Sequence, residues 1–296
     1  MKATGGAVGT AGAGDVNAFD AFERRAWKGR AEAYAGSFAE LCRYAVPYLL
    51  DAADVRAGAG SDVRAEGTAG IRVLDVGTGP GTVAAAAVAR GARVTAVDAE
   101  PSMVARAARS VPEAEVRHAL LPDLPFPDGA FDAVVANFVL NHVGRPAAAL
   151  AELRRVTAPG GRIALTVWSA PHAPGQALLG RAVQAAGVER PASVPEVDAE
   201  EDFPRTEAGL AALFAAAGLP GARTRSLAWD HVVDADVWWS GPAAGIASVG
   251  QTVVAQPPEV IAEIHAHYEA LAAEFRRPDG LLALPHRALL ASAEVR

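Results

Sequence analysis

The sequence predicts a doubly wound α/β fold, in which helices cover both faces of a mostly parallel sheet. Between residues 71 and 168, short apolar runs rich in β-branched residues alternate with helical segments, which is typical of strand–helix–strand units. A glycine-rich turn follows the first of these runs and opens the first helix. Of the 296 residues, 51% are hydrophobic, so the chain can bury a large core and is not a disordered protein.

The central region is expected to form one α/β core over residues 70–170. Five strands are expected where short, mainly apolar stretches lie between turn formers, at 71–76, 93–97, 115–118, 131–136 and 162–168. Helices are expected at 82–90, 101–110 and 145–156. Pro101 suits the first turn of its helix, and the turn from Ala158 to Gly161 should separate the last helix from the fifth strand.

The segments on either side of this core are expected to be caps. Residues 1–14 are small and are predicted to be a disordered tail, and the glycine-rich stretch 58–70 is predicted to be a linker. Residues 15–57 carry an aromatic face at helical spacing, with interruptions near Gly29, Gly36 and Pro47, and should form an N-terminal helical cap. Residues 171–296 should add further cap and complete the sheet, with helices at 176–186, 207–217 and 259–275, a strand at 223–233, and a strand or a helix at 287–295.

Composition excludes several functional classes. A net charge of −7 repels phosphate backbones, so we expect no nucleic-acid partner. No apolar run is long enough to span a membrane, and the N-terminus lacks the core of a signal peptide, so a cytoplasmic protein is expected. The single cysteine, Cys42, cannot form an internal disulfide. His265 and His267 lie two apart on a helix and do not share a face, so no metal site is predicted. The sequence does not indicate an oligomeric state.

The most informative segment is the stretch VLDVGTGPGT, which begins at Val73. Three glycines allow a tight turn and a close approach to a ligand, and the following helix start presents free N–H groups. Asp98, at the end of the next strand, is placed to accept ribose hydroxyls. The spacing G-x-G-x-G departs from the dinucleotide pattern, because position 82 is Thr, and Asp75 would repel a pyrophosphate. These features favour a ligand that carries positive charge over a nicotinamide dinucleotide, although a nicotinamide-dependent oxidoreductase remains an alternative.

This sequence resembles the class I S-adenosylmethionine-dependent methyltransferases, and most closely the small-molecule branch called methyltransferase type 11. The motifs that carry the resemblance are VLDVGTGPG, VTAVDAEPSMVARA, LPFPDGAFDAVVANFVLNHV and RVTAPGGRIALTVW. The resemblance implies a Rossmann-like sheet with one antiparallel edge strand, S-adenosylmethionine as cofactor, and methyl transfer to an O, N or C atom of a small organic molecule. A protein of this fold that binds the cofactor without transferring its methyl group is the alternative.

The resemblance also implies a set of cofactor-binding residues. Asp75 and the glycines should lie along the methionine half, Asp98 should hold the ribose, and Met103 should pack near the adenine. Family members often carry an acid that binds the adenine amino group, but Leu120 stands at that place here. The full set expected to contact the cofactor is Tyr34, Asp75, Gly77, Thr78, Gly79, Gly81, Asp98, Ala99, Met103, Leu120, Leu121, Asn137 and Phe138.

Several further residues are candidates for the acceptor side. His142 is either a general base for the acceptor or a histidine bonded to a nearby backbone group at a helix start. Trp27 and Trp168 are expected to contact substrate, and Tyr34 and Trp27 could face inward from a lid, although ordinary core packing would also explain them. His172 and His231 are possible pocket residues. Trp238 and Trp239 either pack a helix onto the sheet or line a substrate cavity.

Overall fold

The fold is seen in a computed structural model that describes residues 17–56 and 70–296. The predicted tail at 1–14, and the predicted linker except for Gly70, lie outside the described residues. The described chain forms one seven-stranded sheet with helices on both faces, and the predicted α/β class is confirmed.

The sheet has the order β3-β2-β1-β4-β5-β7-β6. Its strands are β1 (Arg72–Val76), β2 (Arg93–Asp98), β3 (Glu115–His118), β4 (Phe131–Asn137), β5 (Thr157–Trp168), β6 (Arg223–Val233) and β7 (Leu282–Glu294). The first five strands pair in parallel and lie where they were predicted, except that β5 begins at Thr157 rather than at Arg162. β7 pairs antiparallel with both β5 and β6. Strand β7 alone runs opposite to the others, and it lies between β5 and β6, so the expectation that this strand would be at the edge was wrong.

Two predicted boundaries differ for local reasons. The turn predicted at 158–161 lies inside β5, because the pairing of β4 with β5 is irregular there and shifts from Phe131–Thr157 to Ala133–Arg162. The region around 287–295, which the sequence left open, is the second half of strand β7.

The helices before the core have 5 to 10 residues, and those after it have 8 to 15. In chain order they are α1 (Ala18–Trp27), α2 (Ala31–Ala35), α3 (Phe38–Arg43), α4 (Val46–Ala52), α5 (Thr82–Ala89), α6 (Pro101–Ser110), α7 (Pro146–Val156), α8 (Pro174–Ala185), α9 (Glu207–Ala216), α10 (Ala235–Ala243), α11 (Ala247–Val254) and α12 (Pro258–Ala272). Pro47 stands in the first turn of α4, where its missing N–H costs no hydrogen bond, so it starts a helix rather than interrupting one. The sequence analysis did not predict α11.

Helix α4 is part of the central core. Leu49 and Leu50 are fully buried, and they pack with Val73 of β1, Val135 of β4 and Ala84 of α5. Burial of this kind stabilises a domain by about 1.5–3 kcal/mol for each large aliphatic side chain. The end of the N-terminal segment is therefore integral to the sheet domain, whereas α1 and α2 lie over its carboxyl edge.

The opposite face and the C-terminal half have cores of their own. Helices α7 and α9 cover the second face of the sheet, with Leu150, Leu153 and Phe214 fully buried. Helices α8, α10 and α12 pack against the far ends of β6 and β7 around Tyr268. Within the part of the chain that the structure describes, no helix is long and apolar enough to cross a membrane.

Candidate functional site

The glycine loop connects β1 to α5 at the carboxyl edge of the sheet. Gly77, Gly79 and Gly81 have φ angles of +64°, +55° and +95°, which side chains other than glycine rarely adopt. A Cβ on Gly77 would lie 2.5 Å from Val139 Cγ2, so the loop can approach the end of β4 only because glycine stands there. A Cβ on Gly79 would lie 3.6 Å from Tyr34 Cε1, which places the Tyr34 ring directly over the loop.

Asp98 ties this loop to the end of β2. Its Oδ2 accepts a hydrogen bond of 2.9 Å from the Gly79 N–H, and its Oδ1 accepts one of 2.9 Å from the Glu100 N–H. Burial raises the pKa of the Asp98 carboxyl, and the backbone donors at Glu100 and Gly79 oppose this effect. Each carboxylate oxygen has a second lone pair, so Asp98 can accept two further hydrogen bonds from a ligand.

Asp75 is completely buried just below the loop. Its Oδ2 accepts a hydrogen bond of 2.7 Å from the Thr78 hydroxyl, while its buried Oδ1 has no partner within hydrogen-bond geometry. Burial raises the pKa of Asp75 to about 7, against the smaller effects of the Thr78 hydroxyl and the Ala84 amide. Burial thus disfavours the charged form of this carboxyl, and a nearby positive charge would favour it.

Four side chains meet beside the loop. The sequence analysis named three of them, Trp27, Tyr34 and His142, and the fourth is Glu23. Trp27 contacts Tyr34 edge to face at 5.3 Å and His142 edge to face at 5.2 Å between ring centroids. Glu23 Oε2 accepts a hydrogen bond of 3.0 Å from Trp27 Nε1 and lies 2.9 Å from His142 Nδ1. The Glu23 side chain is only 12% exposed, so this contact between the cap and the core is shielded from water.

Glu23 is a residue that the sequence analysis missed. The only local signal was an acid four residues before Trp27 on the same helix face, which is also typical of a solvated surface. Glu100 was missed as well, although its Oε1 accepts hydrogen bonds of 3.1 Å from the Gly29 N–H and the Ser102 N–H. These two acids attach the cap to the edge of the sheet that carries the loop.

The end of β4 is fixed from both sides. Asn137 Nδ2 donates to the Cys42 carbonyl at 3.0 Å, and Asn137 Oδ1 accepts from the Thr166 hydroxyl at 2.7 Å. Phe138 has a φ of +61°, and its ring stacks on Trp168 with 4.0 Å between centroids. The buried Phe138 ring is thus packed against Trp168, and the segment presents Asn137 and the backbone near the glycine loop.

The remaining predicted cofactor contacts lie beyond β2 and β3. Met103 is buried on α6, and Ala99 is exposed with its carbonyl 3.0 Å from His118 Nε2. Leu120 and Leu121 are half-buried, and the Asp123 N–H donates to the Leu120 carbonyl at 3.0 Å. This tight turn brings Asp123 next to the position where an acid was expected.

The fold and the loop together define a Rossmann-like domain, with the loop at the carboxyl edge of its sheet, where domains of this kind bind nucleoside-containing ligands. Residues 74–165 match the family described as a methyltransferase domain. This match falls on the segment whose motifs resemble the class I S-adenosylmethionine-dependent methyltransferases.

Curated relatives match over short stretches only. The demethylmenaquinone methyltransferase of Beutenbergia cavernae is 39% identical over 113 residues, which is 35% of this chain and 47% of that protein. The protein of the same name from Clavibacter sepedonicus is 48% identical over 60 residues, or 20% of this chain and 24% of that protein. The matches thus span about half the length of the first relative and a quarter of the second.

Solved structures match over most of the chain. The YcgJ protein of Bacillus subtilis is 20% identical with a TM-score of 0.54, covering 86% of this chain and 98% of that one. Phosphoethanolamine N-methyltransferase 2 of Haemonchus contortus, solved with S-adenosylhomocysteine, is 15% identical with a TM-score of 0.50, covering 94% of this chain and 60% of that one. At these identities the likeness shows the shared fold.

Proposed function

We propose that this protein transfers a methyl group from S-adenosylmethionine to an O, N or C atom of a small organic acceptor. The observation that carries the proposal is the glycine loop hydrogen-bonded to Asp98, above the buried Asp75, within the segment that matches the methyltransferase domain. When bound, the cofactor supplies a methyl group already activated by a positively charged sulfur. The protein therefore has to bind, align and shield the reactants rather than activate the methyl group.

The residues present fit this cofactor. Asp98 has free lone pairs for two ribose hydroxyls, and the glycine loop has no side chains that would hold a ligand away. The unpartnered Oδ1 of Asp75 and its raised pKa suit a ligand with positive charge. Met103, Leu120 and Leu121 offer apolar surface on the adenine side. Tyr34 lies over the loop, where it would exclude water once the site is filled.

His142 is the proposed general base. Its Nδ1 faces the Glu23 carboxylate at 2.9 Å, so in the neutral ring this nitrogen carries the proton and Nε2 is the basic atom. A carboxylate from the cap therefore holds the ring, not a nearby backbone group. We propose that Nε2 takes the proton from the acceptor as the new bond forms, and that Glu23 is a positioning residue that fixes the tautomer. Trp27 and Trp168 would contact the acceptor from the two sides.

The acceptor is not assigned by the relatives. Those named for demethylmenaquinone match between 16% and 35% of the chain, so the acceptor in their name does not carry over to the whole protein. The acidic surface disfavours nucleic acid, which leaves a small molecule as the proposed acceptor.

Three titrations and one product assay test this function. Isothermal calorimetry with S-adenosylmethionine, S-adenosylhomocysteine and NAD⁺ should show binding of the first two, and binding of NAD⁺ alone would instead support an oxidoreductase. S-adenosylhomocysteine release is then measured with a panel of phenols, hydroxyquinones, amines and carboxylic acids. Cofactor binding without release in any case would favour a protein that binds the cofactor without methyl transfer.

The general base is tested once an acceptor gives turnover. His142→Ala should lower kcat by at least about 100-fold while cofactor affinity stays within about twofold, because general-base catalysis contributes roughly 10²–10⁴. Glu23→Gln keeps the shape of the side chain but removes its charge, and it should lower kcat with little effect on KM. Glu113→Gln, at an exposed position before β3, is the matched control. If His142→Ala keeps most of its rate, proximity and orientation alone carry the reaction.

A further inference from the structure

A second group of side chains, on strands β6 and β7 and helix α10, has polar atoms without partners. Trp229 and His231 lie on β6, His286 lies on β7 directly opposite Trp229, and Trp238 lies on α10. Their ring centroids are 5.4 Å apart for His231 and Trp238, 5.5 Å for Trp238 and His286, and 6.3 Å for Trp229 and His286. We call these four residues the Trp–His cluster.

Four buried nitrogen atoms of the cluster have no hydrogen-bond partner. Three of them are donors, because a neutral imidazole has one N–H and one acceptor nitrogen. His231 and Trp238 are each 3% exposed, yet both imidazole nitrogens of His231 and the indole Nε1 of Trp238 have no hydrogen-bond partner. The buried Nε1 of Trp229 also has none, whereas His286 Nδ1 has the Leu284 carbonyl at 2.8 Å. Leaving one buried donor unpaired is already unfavourable in a folded protein, so several in one place indicate a site for a ligand with acceptor atoms.

The Trp–His cluster is connected to the proposed methyl-transfer site by aromatic contacts. The ring centroid of Trp168, at the end of β5, lies 6.1 Å from that of Trp229 and 6.0 Å from that of His286. On its other side Trp168 stacks on Phe138, which follows Asn137 at the end of β4. A molecule bound against the cluster would therefore extend toward the glycine loop along a row of flat rings.

The chemistry of the cluster selects its ligand. Burial lowers the pKa of His231 and of His286 to about 4, so both rings are neutral at physiological pH and offer no charge to a carboxylate or phosphate. Indole N–H groups donate hydrogen bonds and cannot accept them, so the ligand has to supply oxygen acceptors. The face of Trp229 that Tyr44 covers is suited to stacking against a planar ring in place of the Tyr44 ring.

We propose that the Trp–His cluster is the acceptor site and takes an uncharged, planar aromatic molecule with hydroxyl or carbonyl oxygens on its ring. This rests on the proposed function, since it identifies the class of molecule that receives the methyl group. Trp229 and Trp238 donate hydrogen bonds to the ring oxygens, and His231 either donates or accepts according to its tautomer.

Tyr44 provides a route into the cluster. Its side chain is 42% exposed, and it stacks on Trp229 at 5.8 Å and contacts His231 edge to face at 6.0 Å. Tyr44 is the C-cap residue of α3, and because its side chain is partly exposed a change of rotamer can turn the ring toward solvent. Its outward rotation would open the face of Trp229 to an incoming ring.

The test uses 2-naphthol as probe, with naphthalene as the same ring without oxygen. Protein saturated with S-adenosylhomocysteine is titrated with each by calorimetry, and indole N–H signals are followed by ¹H–¹⁵N NMR. We expect 2-naphthol to bind at least about tenfold more tightly than naphthalene, because one hydrogen bond contributes about this factor. The indole signals of Trp229 and Trp238 should shift, while that of Trp239, which packs instead on His265 and Tyr268, should not.

Conservative variants complete the test. Trp229→Phe keeps an aromatic ring but removes the donor, and it should reduce the preference for 2-naphthol to less than about threefold, whereas Trp239→Phe should leave it unchanged. Equal binding of the two probes, or indole signals of Trp229 and Trp238 that do not move in the unmodified protein, would overturn the proposal even if a variant fails to fold. S-adenosylhomocysteine binding is measured separately. If it is present and the probe preference is absent, the acceptor class alone is wrong, and if it is absent, the proposed function fails and the acceptor site with it.

Discussion

Asp75→Asn should make the ligand-free protein more stable at alkaline pH, although it removes a conspicuous residue of the proposed site. The substitution keeps the size of the side chain and an oxygen that can accept the hydrogen bond of the Thr78 hydroxyl. It removes the negative charge that burial disfavours. The pKa of Asp75 rises from 3.8 to about 7 on folding, and this difference determines how stability depends on pH.

The sign and size follow from proton linkage. Between these two pKa values the folded protein holds a proton that the unfolded chain has released, so raising the pH through this range lowers the free energy of unfolding. Above pH 7 the full difference applies, which is about 4 kcal/mol at about 1.4 kcal/mol for each unit of pKa. At pH 5 the free energy of unfolding has fallen by only about 1.7 kcal/mol of this 4 kcal/mol. The stability gap between Asp75→Asn and the unmodified protein should therefore widen by about 2–3 kcal/mol between pH 5 and pH 8.

Urea denaturation followed by circular dichroism at pH 5, 6, 7 and 8 measures this gap. The difference between two pH values cancels any constant effect of the amide on the Thr78 hydrogen bond. Asp230→Asn, at an exposed position on β6, serves as control and should show no such trend. A gap that stays constant or narrows as the pH rises would refute the reasoning that Asp75 is a buried carboxyl held for a cationic ligand.

Two further predictions concern the cofactor and the core. Asp98→Ala removes acceptors for two ribose hydroxyls and should weaken S-adenosylmethionine binding at least about tenfold by calorimetry, since a hydrogen bond to a charged group contributes roughly 1.5–3 kcal/mol, while Asp230→Ala should not. Unchanged affinity would remove Asp98 from the ribose site. Leu49→Ala should lower the free energy of unfolding by about 2–5 kcal/mol in urea, because its side chain is fully buried, and Tyr48→Ala, at 47% exposure, by much less. Equal losses would contradict the integral position of α4.

The central fold could be predicted because its signals are local. Each of the five parallel strands is a short apolar run between turn formers, and both faces of such a sheet are covered, so the run itself marks the strand. The placement of β7 could not be obtained in this way, since pairing with β5 and β6 depends on residues far apart in the chain. Helix α11 was missed because Gly250 stands within it and its glycine-containing approach resembles a loop.

In the site, too, the residues placed by local sequence could be predicted, and those placed by packing could not. Asp75 and Asp98 belong to a loop and a strand end whose spacing is fixed by the sequence, so they could be named in advance. That Trp27 would lie between Tyr34 and His142 follows from the packing of α1 on the carboxyl edge, and Glu23 became visible only through that packing. A glutamate on an amphipathic helix looks the same in sequence whether it meets water or a histidine.

The position of β7 also determines the order in which the sheet can be completed during synthesis. Among the strands that the structure describes, β6 is at the edge and pairs with β7 alone, so its backbone groups find no partner among these strands until residues 282–294 exist. About 50 residues separate the two strands, which a ribosome adds in several seconds. During that interval the nascent chain carries an unpaired strand, and helices α10 to α12 are available to cover it before β7 inserts. Slowing translation between the two strands should therefore lengthen the exposure of β6 and increase aggregation, whereas slowing it within the first five strands should not.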